Sequence, residues 1–384
     1  MRILLVQRSL EPPGGGNAVA AGMVHARAGP HQGDTLTLGD WSPAATNAFY
    51  GTAIPEAIER HAVPRPWQWL ARGSSDHLYR LRMATLLRYA RDVGAGYDLL
   101  ITADDYGAFE RPGIQYVHFP AALSPVPARF PTVVGAYFRF CDWWLGMPWA
   151  RARNNLTLVN SQWTADRLSG AGETRVLYPP VVDTGPGLPW ASRSNTFLCV
   201  GRFHPSKRLD LVISIVRQLR RQAIPDAQLV LVGSAVHAGY ARRIKHAATE
   251  HGDWIEIRED LSRAELTSLM GRCRYGLHAM EGEHFGMATA EMIRAGCLVF
   301  PHRSGGSVEV VDEASELLWT TGEDAVARVS AVAGDEQLGA ALRARLGRHA
   351  QRFSADRFVT EFRAIVDGWR PQVSSRKPGS ASNS

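Results

Sequence analysis

The chain has 384 residues, which sets a prior of two domains or three, and its 45% apolar and 21% charged residues exclude a largely disordered, collagen-like or coiled-coil protein. Lys and Arg number 43 against 37 acidic residues, a formal charge of +6, which suits an anionic ligand or an anionic membrane surface alike. The apolar run after Met1-Arg2 ends at Val6, too short for a signal-peptide core, and no later run approaches the length of a membrane span.

In chain order, strands are predicted at Arg2–Val6, Thr35–Leu38, Asp98–Thr102, Gln115–His118, Leu156–Asn160 and Arg175–Tyr178. Helical periodicity falls on Asn17–Ala28, His77–Val93, a run around Val133–Arg153, and Ser161–Leu168. Breaks at Pro179-Pro180 and across Asp183–Asn195 read as an interdomain linker. The alternation then restarts with strands at Thr196–Val200, Gln228–Val232, Trp254–Arg258, Tyr275–Ala279 and Leu298–Pro301. Between them lie helices at Ser206–Gln222, Ala238–Glu250, Ser262–Cys273 and Gly286–Ala295, and further helices run to Trp369. Short apolar strands alternating with helices argue for βαβ units and parallel sheets. The expected division is a first domain over 1–185, a second over 195–354, a helix over 355–369 that crosses back to the first, and a disordered tail over 370–384. Two such domains suggest a ligand held in a cleft between lobes. Cys141, Cys199, Cys273 and Cys297 are scattered, with no metal-ligand spacing, so the chain reads as reduced, cytoplasmic and without a structural zinc.

Three segments could carry chemistry. Gly14-Gly15-Gly16-Asn17 follows the first strand and opens a helix. A glycine-rich turn there lets backbone N–H groups approach an anion, although it completes neither a dinucleotide fingerprint nor a P-loop, and a plain flexible turn reads equally well. Gly201-Arg202-Phe203-His204-Pro205-Ser206-Lys207 follows the first strand of the second domain. With Pro205 and Ser206 starting the helix, Arg202 and Lys207 fall at its positive end, where a diphosphate fits, or they form an ordinary solvated basic turn. The third segment is Glu283-His284-Phe285-Gly286-Met287-Ala288-Thr289-Ala290-Glu291. Eight residues of helix rise about 12 Å. Carboxylates that far apart cannot share one hydroxyl, but they can hold the two sugars on either side of a pyrophosphate, which describes a nucleotide-sugar. Glycosidase chemistry would need both to face one anomeric carbon.

His118 ends a strand, where parallel sheets place ligands, though a lone histidine there is also read as structural. The aromatic run Tyr137–Trp149, with Arg151 and Arg153 beyond it, is read as core packing or as a helix seated in a membrane interface. The basic residues are spread over both halves and no nucleic-acid-reading module is seen, so no nucleic acid partner is expected.

The strings V-G-R-F-H-P-S-K, E-H-F-G-M-A-T-A-E-M-I-R-A-G-C and H-R-S-G-G-S resemble those of retaining glycosyltransferases of family 4. Their E-x₇-E pattern is matched by Glu283 and Glu291, and their G-R-x₄-K pattern by Gly201, Arg202 and Lys207. Further likeness, in Tyr116–Pro120, Asn160–Thr164, Tyr178–Pro180, Gly276–Met280 and Glu283–Gly286, is to the GDP-mannose-dependent α-1,2-mannosyltransferases of the lipid-linked oligosaccharide pathway.

The resemblance implies an α/β fold of the GT-B type, two Rossmann-like domains facing across a central cleft. It implies transfer of mannose or a related hexose from a nucleoside-diphosphate sugar to a glycan, lipid-linked or small-molecule hydroxyl. It gives Glu283 the hexose hydroxyls and Glu291 the ribose, and Arg202 and Lys207 the diphosphate. The amides of Phe285, Gly286, Met287 and Ala288 and the loop at Gly15 and Gly16 assist, and His118 sits beside the donor sugar. No D-x-D motif is found, Asp104-Asp105 reading as a strand-end loop, so no metal and no cofactor beyond the donor are expected. The membrane anchor and longer first domain of the eukaryotic members are not expected here, and peripheral contact at the inner membrane face is left open. Trp254–Asp260, around the base-binding strand, leaves guanine, uracil and adenine open. A nucleotide-sugar epimerase or a phosphorylase could use the same fold.

Overall fold

The structure, a computed structural model, describes residues 1–27, 32–71, 78–119, 131–147, 149–168, 172–185 and 187–370. The expected disordered tail therefore lies almost wholly outside the described residues, as do Ala28, His77 and Pro120.

The first half of the chain forms β1 (Arg2–Val6), α1 (Gly15–Arg27), β2 (Gln32–Thr37), α2 (Pro43–Tyr50), β3 (Arg60–Ala62), α3 (Tyr79–Gly94), β4 (Leu99–Thr102), β5 (Ile114–Val117), α4 (Pro131–Leu145), β6 (Leu156–Val159), α5 (Gln162–Ala165) and β7 (Thr174–Val176). Its strands make one 7-stranded sheet in the order β3-β2-β1-β4-β5-β6-β7, parallel throughout. The second half forms β8 (Ser194–Val200), α6 (Leu209–Gln222), β9 (Gln228–Gly233), α7 (Ala238–His251), β10 (Ile255–Glu259), α8 (Arg263–Met270), β11 (Cys273–His278), α9 (Met287–Arg294), β12 (Leu298–Pro301), α10 (Ser307–Val310), α11 (Gly322–Gly334), α12 (Glu336–His349) and α13 (Ala355–Gly368). Its 5-stranded sheet runs β10-β9-β8-β11-β12, again all parallel.

Helices cover both faces of these sheets, so the strands read as unbroken apolar runs. β4, β5 and β12 are buried at every residue. α6 shows the complementary pattern, burying Leu209, Val212, Ile213, Val216 and Leu219 along one stripe. α8 begins on a reciprocal cap, in which Ser262 takes the Glu265 N–H and Glu265 takes the Ser262 N–H.

The sheets are joined by the segment after β7, where the Val181 N–H donates to the Phe353 carbonyl at 2.9 Å. The returning chain thus runs beside the outgoing one. α13 then lies on the first sheet's layer, with Phe358, Phe362 and Val366 in one core cluster with Ala18, Val19 and Met23 of α1.

Three local expectations need correction. The run around Val133–Arg153 is two helices, because Gly146 takes a left-handed turn (φ 73°) between α4 and a 3₁₀ segment at Trp149–Asn154. Ser161–Leu168 is a single α turn, Gln162–Ala165, capped by Ser161. The predicted helix at Ser206 starts later: a 3₁₀ turn spans Pro205–Lys207, Arg208 adopts φ 51°, and α6 begins at Leu209.

Candidate active site

In parallel α/β sheets ligands bind beyond the carboxyl ends of the strands, where the strand order reverses. In the first sheet that point lies between β1 and β4, and in the second between β8 and β11. Beyond the carboxyl ends of these strands lie the glycines that open α1, the Gly201–Lys207 turn and the Glu281–Gly286 segment. The two switch points meet. A Cβ built on Gly15 would lie 3.3 Å from Met287 Cγ, and the Phe119 and His284 rings pack edge to face at 4.6 Å. A Cβ on Gly16 would lie 3.4 Å from His118 Nε2. Gly15 and Gly16 are the first residues of α1 itself, so its N-terminal amides are presented without side chains over them.

Glu283 is the electrostatic centre. Its Oε2 accepts from Lys207 Nζ at 2.6 Å and from His278 Nε2 at 3.0 Å. Burial alone would raise this carboxyl's pKa, but the His278 hydrogen bond and the Lys207 charge outweigh it and hold the group well below the carboxylate range. His278 ends β11 and is 2% exposed, so it is a fixed partner. Glu281 pairs with Arg208, whose left-handed backbone turns its side chain toward the same loop. Arg202 is exposed and makes no side-chain ion pair among the described residues. Lys207 belongs to a separate turn and not to the first turn of α6, in which the His204 side chain accepts from the Ser206 N–H.

The helix whose N-terminus faces this cluster is α9. Gly286 is its N-cap, in a left-handed conformation (φ 102°) and with no side chain capping it. The first N–H groups of a helix have no partner within it, so those of Met287, Ala288 and Thr289 are available to an anion, as is the partial positive charge of the helix end. Gly286 is obligatory there: a Cβ would sit 2.4 Å from Ser307 Oγ. Glu291 lies one turn further in and is held by Arg263 Nη1 at 2.7 Å, both side chains being largely buried. The interval between the two glutamates is loop up to Gly286 and helix only from Met287.

His118 stands at the carboxyl end of β5. Its Nε2 lies 2.8 Å from the Ala103 carbonyl, so that nitrogen carries the proton. Asp105 accepts the main-chain N–H groups of His118 and Phe119 at 2.7 and 3.1 Å. Asp104 is taken up by Arg8 at 2.6 Å, so both aspartates are engaged within the protein. His284 is half-buried between Phe119 and Trp163, and burial lowers its pKa, favouring the neutral ring.

The structure brings Glu283, Lys207, Phe285 to Ala288, Gly15, Gly16 and His118 into one region. The residues that hold the two glutamates were not among the expected site residues. His278 stood in a noted motif and at a strand end, which was signal enough, whereas nothing local to Arg263 marked it as the companion of a residue 28 positions away.

Residues 186–353 match the family described as Glycosyl transferases group 1. The human GDP-Man:Man(3)GlcNAc(2)-PP-Dol alpha-1,2-mannosyltransferase is 27% identical over 40% of this chain and 35% of its own length. The enzyme of the same description from Xenopus tropicalis is 25% identical over 48% and 40%. The match thus spans well under half the length of these relatives. Among solved structures, HepE from Anabaena, in complex with UDP and glucose, superposes with a TM-score of 0.68 at 18% identity, over 96% of this chain and all of that one. Sucrose-phosphate synthase from Thermosynechococcus elongatus gives 0.70 at 16% identity, over 95% and 98%. WaaG, a glycosyltransferase involved in lipopolysaccharide biosynthesis, gives 0.69 at 14%, over 96% and 100%. The fold is therefore the expected GT-B arrangement.

Proposed function

We propose that this chain, whose residues 186–353 match the group 1 glycosyltransferase family, moves a hexose from a nucleoside-diphosphate sugar to a hydroxyl acceptor with retention at the anomeric carbon. GDP-mannose is the donor favoured by the likeness to mannosyltransferases. The observation that carries the reading is an ionised Glu283 that is paired with Lys207 and lies three residues before the uncapped N-terminus of α9, with Arg202 exposed and without an ion pair among the described residues on the loop that also carries Lys207. As the glycosidic bond breaks, negative charge grows on the β-phosphate. Fixed donors aimed at that charge lower the barrier. Glu283 holds hexose hydroxyls, Glu291 the ribose, and His118 the acceptor side of the sugar. The leaving phosphate oxygen takes the acceptor proton on the same face, so no protein nucleophile is required, and neither is a metal.

The acceptor side has its own feature. On α4 the side chains of Val133, Phe140 and Trp143 are 75%, 46% and 70% exposed. Arg139 on the same helix and Arg151 and Arg153 after it are also exposed. Cys141 and Leu145 on the other side are buried, so core packing accounts for that face and leaves the other exposed. An apolar stripe with basic neighbours suits an anionic lipid surface, and the reading includes peripheral membrane contact and a lipid-linked acceptor. Among the described residues no helix is long and apolar enough to cross a membrane.

Incubation with radiolabelled GDP-mannose and UDP-glucose tests the assignment. A transferase releases nucleoside diphosphate with sugar moved to acceptor or water. Conversion to an isomeric nucleotide-sugar would point to an epimerase, and dependence on inorganic phosphate to a phosphorylase.

A further inference from the structure

A closed ring of hydrogen bonds links the two domains at the loop that carries Glu283. Its first side starts on α10, where the Glu309 carboxylate accepts the main-chain N–H of Gln162 at 2.9 Å and of Trp163 at 2.8 Å. The Tyr178 hydroxyl donates to the same carboxylate at 3.1 Å. Glu309, from the second domain, therefore holds the free amides at the start of α5 in the first. The second side is Ser161, the N-cap of α5, which is fully buried. Its Oγ takes the Thr164 N–H at 3.0 Å and donates its own proton to the His284 carbonyl at 2.5 Å. The third side returns to α10: the Gly306 N–H donates to the Glu283 carbonyl at 2.6 Å. A Cβ on Gly306 would lie 2.2 Å from the His284 oxygen, so glycine alone permits the approach.

The orientation this imposes matters for chemistry. A trans peptide is planar, and its C=O and N–H point in opposite directions. Drawing the His284 carbonyl toward Ser161 turns the Phe285 N–H the other way. That N–H makes no hydrogen bond among the described residues, and it directly precedes Gly286, the N-cap of α9. We propose that Ser161 is a positioning residue held by Glu309. It aims the 284–285 peptide so that the Phe285 N–H joins the first amides of α9 on the departing diphosphate. Because Ser161 belongs to the acceptor-side domain, the donor loop reaches its working geometry only when the two domains are docked. The inference rests on the transferase reading above.

The test is a double-mutant cycle of Ser161→Ala and Glu309→Gln. Nucleotide release is measured from whichever of GDP-mannose and UDP-glucose the unaltered chain turns over, with GDP, UDP and ADP calorimetry alongside. Each single change is expected to lower kcat about 10–100-fold, part of what losing a whole oxyanion donor costs, while donor KM changes less than about 3-fold. The double variant should fall no further than the deeper single, because both act through one ring. Ser161→Thr, which keeps the hydroxyl, should retain most of the activity. If Ser161→Ala does not fold, Glu309→Gln against Glu309→Ala gives the same kcat readout. Unchanged kcat in the singles, or losses that multiply in the double, overturn the positioning role. A chain that binds none of GDP, UDP and ADP overturns the transferase reading itself.

Discussion

Lys207→Ala separates the structural and chemical roles of one ion pair. Lys207 and Glu283 are only 17% and 15% exposed, and their contact is 2.6 Å. Removing the ammonium leaves Glu283 with His278 alone, at 3.0 Å on the same oxygen. Losing one charge-assisted hydrogen bond costs about 1.5–3 kcal/mol. At roughly 2–4 °C per kcal/mol the melting temperature should drop about 3–12 °C. Adding Glu283→Gln to Lys207→Ala removes the orphaned charge and should recover most of that drop, since a neutral amide costs less to bury. Catalysis should not recover. The ammonium meets charge that grows only as the bond breaks, so kcat should fall about 10²–10³-fold with a smaller rise in donor KM. Lys207→Arg should restore only part, because a planar fork does not replace a compact ammonium. Thermal melts and steady-state nucleotide release decide both halves. If Lys207→Ala raised KM with kcat intact, Lys207 would be a ground-state binder and the leaving-group argument would fail.

Turnover should survive EDTA, with Arg202 and Lys207 meeting the diphosphate charge, and a strict requirement for added Mg²⁺ or Mn²⁺ would contradict this. Glu291→Gln should weaken free nucleoside diphosphate by on the order of 1.5–3 kcal/mol, whereas Glu283→Gln should leave it nearly untouched and harm only sugar-dependent steps, as read by calorimetry. Because the folded state holds the Glu283 carboxyl below its ordinary 4.5, its contribution to stability is present above that pH and lost as pH falls below it. Urea unfolding of Glu283→Gln over about pH 3–7 should therefore show a shallower acid limb than the unaltered chain, and identical limbs would refute the linkage. Sedimentation with phosphatidylglycerol vesicles should fall when Phe140 and Trp143 are both changed to Ser, and vesicle binding indifferent to that change would remove α4 from the membrane reading.

The strands and amphipathic helices were legible because burial on both faces writes continuous apolar runs, as in β12, and a helix stripe, as in α6. What escaped were short elements fixed by tertiary contact. β3 is three residues at a sheet edge, and α2 announces itself only through the Ser42 cap and Pro43. Gly146 and Arg208 broke predicted helices through left-handed backbone, and an arginine carries no local signal for that conformation. In the site, residues close in sequence were legible as a group, since the Glu283–Glu291 segment carries loop, N-cap and helix together. Partners drawn from other strands were not. His278 and Arg263 meet their partners only when the second sheet is assembled, and Ser161 and Glu309 only when the two halves of the chain pack together.

The central claim is that Arg202, Lys207 and the start of α9 form one site for the diphosphate of a sugar nucleotide. A crystal structure of the full chain with GDP-mannose, grown in EDTA, tests it most directly. The account predicts the β-phosphate within hydrogen-bond distance of Lys207, Arg202 and main-chain N–H groups from Phe285 to Ala288, with the hexose against Glu283 and the ribose against Glu291. A diphosphate bound elsewhere in the cleft, or held through a metal ion carried by Asp104 or Asp105, would contradict it.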